Sequence, residues 1–477
     1  MQLIPAPFPR IFEKKLSLMG VVLFLVVLLF SSTTFFYWTL QYSWLEQQRI
    51  AQLIMVFVGA GCWMAAWRQG EGIFSWGLLL ALFLGFFSSL LATYPDWALR
   101  EWSKYVGSLA LLFFLGFYLK VELHQKILIF VLLATTAILV WNYFVFYFIA
   151  LFFDSKVDAY LLVPGFDNPR FYGQFQIVLI PVLHGICFFY EWRSRFFNFG
   201  FIKFILLLQW VVVWALTGRG VIFGLFFSFF LLWVVSGLRY KKLLLQVIKC
   251  SIFGLFLYWV LFLLVPMALG FSESEHSALR FSLSKRDVLW AGAWGMIERH
   301  PFFGVGPLHF ASIWNHVAAH PHQSFLQFAS EWGLPATLIF CGLILSFVWH
   351  GMQIISKNFK PLDAGLWAAL VAALWLSQVD GVFVMPYSEG WLVLIGGLAL
   401  ARWKENFNQE KNKISARSVA SIFLVSLSFL VVAKIIFMEV PVLRESHKKF
   451  IIKENIGSPP RFWDQGWIPM NFSKTNN

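Results

Sequence analysis

Charge is scarce in this chain. Asp, Glu, Lys and Arg make up 13% of its 477 residues, against 59% hydrophobic and 19% aromatic residues. That balance excludes the roughly three soluble domains that the length would otherwise suggest and points to a polytopic membrane protein. Cysteine is nearly as rare. The four present, Cys62, Cys187, Cys250 and Cys341, fall within or at the ends of apolar runs with no paired spacing, which excludes a disulfide framework and a cysteine zinc site. The sequence also lacks a Gly-Lys-Ser/Thr phosphate loop, since Gly304-x-Gly306 has no such continuation, and it has no His-Glu-x-x-His. Internal repeats and low-complexity segments are missing as well. A net charge of +13 would suit nucleic acid, but the basic residues sit in short clusters between apolar runs, where the positive-inside rule and anionic headgroups place them. Nucleic acid is therefore not an expected partner; membrane lipids are.

What is there is hydrophobic length. Runs of about 20 apolar residues occur near 18–40, 50–67, 73–93, 104–120, 127–153, 174–190, 201–217, 220–238, 247–270, 333–352, 364–383, 388–402 and 417–438. The expected fold class is thus an all-α polytopic membrane protein with about 12 to 13 transmembrane helices and one large extracytoplasmic helical loop. The first run, after Lys14-Lys15, is long enough to span and is expected to stay as the first helix. Placing Arg10, Lys14 and Lys15 inside also puts the basic loops at Arg193/Arg195/Lys203, Arg239/Lys241/Lys242, Lys357/Lys360 and Arg402-to-Arg417 inside. The outside then receives Tyr94–Lys104, residues 153–173, the Thr217-Gly-Arg-Gly220 corner and the loop at 270–332. A multi-pass membrane protein with its histidine-bearing loop extracytoplasmic follows. The expected organisation is N-terminal helices over 1–160, a core over 161–352 containing the loop 270–332, C-terminal helices over 353–438, and an extracytoplasmic tail over 439–477 to which no chemistry attaches.

Six of the ten histidines fall between His276 and His322. Ser284-Lys-Arg-Asp287 reads as a helix cap, and Arg286, Trp290, Ala293 and Ile297 then recur on one helical face. His300-Pro301 ends that helix. His320-Pro-His322-Gln-Ser leads into a second one, with Phe325, Phe328, Ala329 and Trp332 on one side. Among the histidines a general base is a better reading than a metal ligand, because an imidazole accepts a hydroxyl proton near neutral pH and His316, His320 and His322 lack a metal-site spacing; no metal or cofactor is expected. Arg219 stands between two apolar runs, where a cation either snorkels to headgroups or meets an anion. Arg280 and Arg286 are six residues apart and cannot share a helical face, which leaves Arg280 in the loop ahead of the cap. Guanidinium groups fork onto phosphate oxygens, so Arg219, Arg280 and Arg286 are candidate ligands for a diphosphate. Gly165-Phe-Asp-Asn-Pro-Arg170 mixes polar groups with aromatics, as a sugar-binding lip does and as a helix-capping turn also does.

Arg286-x3-Trp290, His300-Pro-Phe-Phe-Gly-Val-Gly-Pro307, His322-Gln-x9-Gly333 and Thr217-Gly-Arg-Gly220 resemble the signature region of the O-antigen ligase and polymerase superfamily. The resemblance spans roughly residues 160 to 345. It implies a GT-C-like membrane glycosyltransferase that moves a glycan from undecaprenyl diphosphate to lipid A-core in lipopolysaccharide biosynthesis, metal-independent and inverting. By motif, Arg219, Arg286 and Arg280 would hold the diphosphate, His322 would activate the acceptor hydroxyl, and Asn168, Arg170, Trp290 and Gln323 would contact glycan or acceptor. One departure is visible: Gly333-Leu-Pro-Ala336 has alanine where the ligase pattern has a second glycine. Polymerase and protein O-oligosaccharyltransferase remain alternatives, the latter with a protein acceptor. A lipid or glycan transporter is the non-enzyme alternative, opposed by the gathering of ionisable residues in one loop with few in the spans apart from Asp380.

Overall fold

A computed structural model describes residues 10–39, 41–67, 74–153, 157–188, 199–270, 285–403, 415–454 and 457–468, with side chains from residue 18 onward apart from Phe199. The chain is an all-α polytopic membrane protein; among the described residues the only β feature is a single bridge between Pro460 and Gly466. The helices in order are α1 (Arg10–Ser32), α2 (Trp44–Ala66), α3 (Trp76–Leu91), α4 (Pro95–Tyr118), α5 (Glu122–Phe152), α6 (Pro169–Ile186), α7 (Phe199–Ala215), α8 (Arg219–Ser236), α9 (Lys241–Trp259) and α10 (Val265–Ala268). After them come α11 (Arg286–Arg299), α12 (Ser324–Trp332), α13 (Leu334–Lys357), α14 (Pro361–Leu376), α15 (Pro386–Trp403), α16 (Ala416–Lys434) and α17 (Leu443–Glu454).

Among the described residues, five stretches are long and apolar enough to cross a membrane: Trp44–Ala66, Glu122–Phe152, Arg219–Ala268, Leu334–Lys357 and Ala416–Glu454. The 50-residue stretch turns at Gly237, whose φ of +57° an L side chain rarely adopts, and so contributes both α8 and α9. Shorter apolar helices cover Leu18–Ser32, Trp76–Leu91, Gly200–Ala215 and Pro361–Leu376. The remaining apolar runs lie in α4, α6 and α15, which bury their polar groups against one another. Outward-facing Trp141, Phe148, Trp233 and Trp349 stay exposed on the other helices, as lipid contact requires.

The centre is made by α6 against α14 and by α4 against α2, α15 and α16. Closest approach occurs where α6 crosses α14: a Cβ on Gly185 would lie 2.6 Å from the Pro361 carbonyl oxygen, and one on Gly365 would lie 2.5 Å from that of Pro181. Small residues at a crossing let backbones touch where lipid offers no hydrophobic drive.

Two expectations change here. Tyr94–Lys104 is not a loop: Pro95 sits at the first turn of α4, so Glu101 and Lys104 are helical and buried, while Tyr94 still meets His309 of the 270–332 loop. The spans are also not poor in charge. Lys104 Nζ lies 3.1 Å from both Glu101 Oε1 and Glu389 Oε2, and Arg49 Nη1 lies 3.2 Å from Glu389 Oε2. These groups stand in the N-terminal halves of α2, α4 and α15, at or just outside the starts of the apolar runs.

Candidate functional site

The helix hairpin forms as its sequence dictates. α11 buries Leu289, Ala293, Met296 and Ile297 and ends at His300, whose N–H donates to the Met296 carbonyl at 2.9 Å. Its N-cap is Lys285 at φ +59°, without a side-chain cap bond; Ser284, expected to cap it, and Arg280, expected to bind diphosphate, lie outside the described residues. The turn after Pro301 depends on glycine. Gly304 has φ +66°, and a Cβ there would meet the Glu331 backbone at 2.5 Å. That close approach lets the Val305 and Gly306 N–H groups donate to the Ser330 and Glu331 carbonyls at 2.8 and 3.0 Å, tying the turn to the end of α12. Ala336, at the position of the missing second glycine, is fully buried.

His322 stands at the entrance to α12, half-exposed, with φ +52°. Its Nδ1 lies 3.5 Å from Asp380 Oδ1. Asp380 was expected inside a span over 364–383, but α14 stops at Leu376, and the polar Gln378 and the Asp380-Gly381 pair make a turn at the same end of the helices as His322. Two further bonds dock α12 on this turn: Ser324 N–H and Oγ both donate to the Ser377 carbonyl, at 2.8 and 2.9 Å. A carboxylate at Nδ1 draws the ring proton there and leaves Nε2 free to accept one, the base-and-orienter arrangement of a nucleophile-activating histidine.

His320 is a different kind of histidine. It is buried, its ring lies 4.0 Å from that of His322, and its Nδ1 accepts the His322 backbone N–H at 3.3 Å. Burial, then the neighbouring His322 and Arg461, push its pKa well down, so it is neutral at physiological pH. His309 is structural too. It accepts the Tyr94 N–H at Nε2 and reaches the Pro307 carbonyl with Nδ1, at 3.0 and 2.9 Å, and burial lowers its pKa to about 4. His316 is exposed beside Trp314. Among the described residues no group of three His, Cys, Asp or Glu side chains is arranged to hold a metal ion.

The arginines converge. Arg286, half-buried at the first turn of α11, has its pKa lowered by burial and by the like charges of Arg170 and Arg219, while Asp380 acts in the opposite sense. Charges carried by α6, α8 and the α14–α15 turn therefore all act on the first turn of α11.

The remaining expected residues divide. Asn168 caps α6, its Oδ1 accepting the Arg170 N–H at 2.9 Å, while the Arg170 side chain is exposed. Trp290 donates its indole N–H to the Pro321 carbonyl at 3.1 Å, bracing the strand that carries His322. Gln323 caps α12 through Leu326 N–H and donates to Gln378 Oε1 at 3.0 Å. Sequence reasoning missed Asp380 as a partner of His322, although an Asp-Gly pair beside Ser377-Gln378 is a turn signal. It also missed the tail, whose Arg461 is buried against Glu331 at 2.7 Å.

No curated protein matches the sequence. Residues 204–341, which hold Arg219, Arg286 and His322, match the family model described as O-antigen ligase, so this region of the chain is similar to the O-antigen ligase superfamily.

Proposed function

We propose that the chain is a membrane glycosyltransferase that moves a glycan from undecaprenyl diphosphate to lipid A-core, with inversion at the anomeric carbon and without a metal. The reading is supported above all by one observation: His322 Nδ1 lies 3.5 Å from Asp380 Oδ1, and the helix that begins with Arg286 donates its Trp290 indole N–H to the neighbouring Pro321 carbonyl. In this scheme Nε2 of His322 takes the proton of an acceptor hydroxyl as its oxygen attacks the anomeric carbon. The bond from that carbon to the diphosphate oxygen breaks, and the electron pair leaves with the diphosphate. Arg219 and Arg286 neutralise the growing charge, with Arg280 a further candidate; well-placed donors of this kind contribute about 3–4 kcal/mol each. Holding two lipid-borne partners at one place turns a rare encounter into a positioned attack. Arg170 and Asn168, at the start of α6, would contact the glycan or acceptor.

The site end of the helices would face the periplasm of the inner membrane. The opposite end carries Lys241, Lys242, Lys357, Lys360 and Arg402, as cytoplasmic loops do. A polymerase or a protein O-oligosaccharyltransferase would use the same donor chemistry, and the acceptor decides between them. The test is purified protein with undecaprenyl-diphosphate glycan and, separately, lipid A-core, a second donor molecule or a candidate protein. Transfer to lipid A-core that disappears in His322→Ala and Arg286→Ala supports the reading; transfer only to donor or protein would replace it with one of the alternatives.

A further inference from the structure

The tail after α17 folds back onto the hairpin. Trp463 and Gly466 N–H groups close turns on Pro460 and Pro459 carbonyls, both at 2.8 Å, and the Ile468 N–H donates to the Ala311 carbonyl at 3.1 Å. Trp467 lies against Trp314 with ring centres 4.2 Å apart. Between these contacts Arg461 is buried, 2% exposed. Its Nη1 donates to the Ala319 carbonyl at 3.0 Å and its Nη2 to Glu331 Oε1 at 2.7 Å. The same Glu331 oxygen accepts the Phe310 N–H at 3.0 Å. One residue along, the Phe462 carbonyl accepts Arg49 Nε at 2.7 Å, anchoring the tail to α2.

We propose that Arg461 is a positioning residue of the transfer site, fixing the segment Ala319-His320-Pro321-His322 so that His322 faces both Asp380 and the arginines. This rests on the functional reading above. The carbonyls flanking His320 are held from two directions, Ala319 by Arg461 and Pro321 by the Trp290 indole. His322 needs that clamp, because its φ of +52° is strained for a residue with a Cβ and persists only when its surroundings over-determine it. Burying an ion pair is a poor way to gain stability, since apolar groups of similar volume often serve as well or better. A guanidinium forked between a carbonyl and a carboxylate instead supplies geometry. Its charge beside His320 also favours the neutral ring that accepts the His322 N–H.

The test uses the full chain in nanodiscs, comparing wild type, Arg461→Gln, Arg461→Lys and the paired replacement Arg461→Met with Glu331→Leu. Three quantities are read: affinity for undecaprenyl-diphosphate glycan, turnover at saturating donor, and diethyl pyrocarbonate modification of His320 mapped by mass spectrometry. The proposal expects Arg461→Gln to bind donor as wild type does, to turn over roughly 10- to 100-fold more slowly, and to expose His320 to modification, with Arg461→Lys recovering part of the rate. If Arg461→Gln does not fold, the paired replacement carries the test: it should be as thermally stable as wild type yet equally slow. Wild-type turnover in either variant, or continued protection of His320 in a folded one, overturns the proposal. The modification readout does not depend on transfer, so a His322→Ala protein that still transfers glycan would defeat the functional reading while leaving the positioning question decided by His320.

Discussion

Arg49, Glu101, Lys104, Glu331, Glu389 and Arg461 are each at most 3% exposed, and they comprise three cations and three anions. Arg170, Arg219 and Arg286 are partly or fully exposed, and Arg286 feels the charges of Arg170, Arg219 and Asp380. The first set balances its charge internally, so it has no electrostatic need of a ligand. The second lies where solvent, and so a ligand, can reach it. Both sets lie in or beside apolar helices and look alike in a count of charged residues. Their burial separates a framework from a candidate binding site.

The contrast can be broken by substitution. His322→Ala should lower transfer by about a hundredfold to ten-thousandfold, the usual contribution of a general base, with donor binding and melting temperature unchanged because the side chain is only half-buried. A binding assay beside the transfer assay checks both halves. Glu389→Gln should behave in the opposite way: removing one partner from a buried set costs about 3–5 kcal/mol, seen as a fall in thermal stability before any specific loss of rate. Were Glu389→Gln to lose transfer at full stability, the buried set would belong to the mechanism and the distinction would fail.

Arg286→Ala should cost about a hundredfold to a thousandfold in transfer and weaken donor binding, while relieving the crowding of Arg170 and Arg219 and leaving the fold intact. Arg286→Lys keeps the charge but loses the fork and should recover only part of the rate. Asp380→Asn should slow turnover by roughly tenfold to a hundredfold, since the amide no longer holds the proton on Nδ1. If that variant instead stops the donor from reaching the site side of the membrane while transfer of supplied donor is normal, transport rather than orientation would be its role.

The smallest effect concerns the tail. Burial, helped by Asp167 and Glu46, raises the pKa of Asp464 to about 6. A carboxyl whose pKa is higher in the folded protein than in the unfolded chain favours folding most below its unfolded value and loses that contribution as pH rises through 6. Docking of residues 457–468 should therefore tighten as pH falls from 7 towards 4, and Asp464→Asn should flatten this dependence in a melting series. An unchanged slope in the variant would assign the pH response to another group.

The apolar runs and the hairpin helices were legible in the sequence because each has a local signature, hydrophobic length or helical spacing, and Arg219, Arg286 and His322 stood out as polar residues in an apolar setting. Asp380 was visible but misplaced, since a hydropathy window runs past the true end of α14 at Leu376 and absorbs the turn. Arg461 was not legible. Its partners Ala319 and Glu331 are 142 and 130 residues away, and in a tail of mixed charge nothing local distinguishes the one arginine that is buried. The pairing of Arg49 and Lys104 with Glu389, at separations of 340 and 285 residues, was hidden for the same reason.

The account turns on His322 as the base of a transfer whose leaving group is held by arginines. The most direct measurement is single-turnover transfer from labelled undecaprenyl-diphosphate glycan to lipid A-core by purified wild-type and His322→Ala protein at saturating donor. The account predicts rapid labelling of lipid A-core by wild type and almost none by His322→Ala, with equal donor bound to both. Equal rates in the two proteins would contradict it.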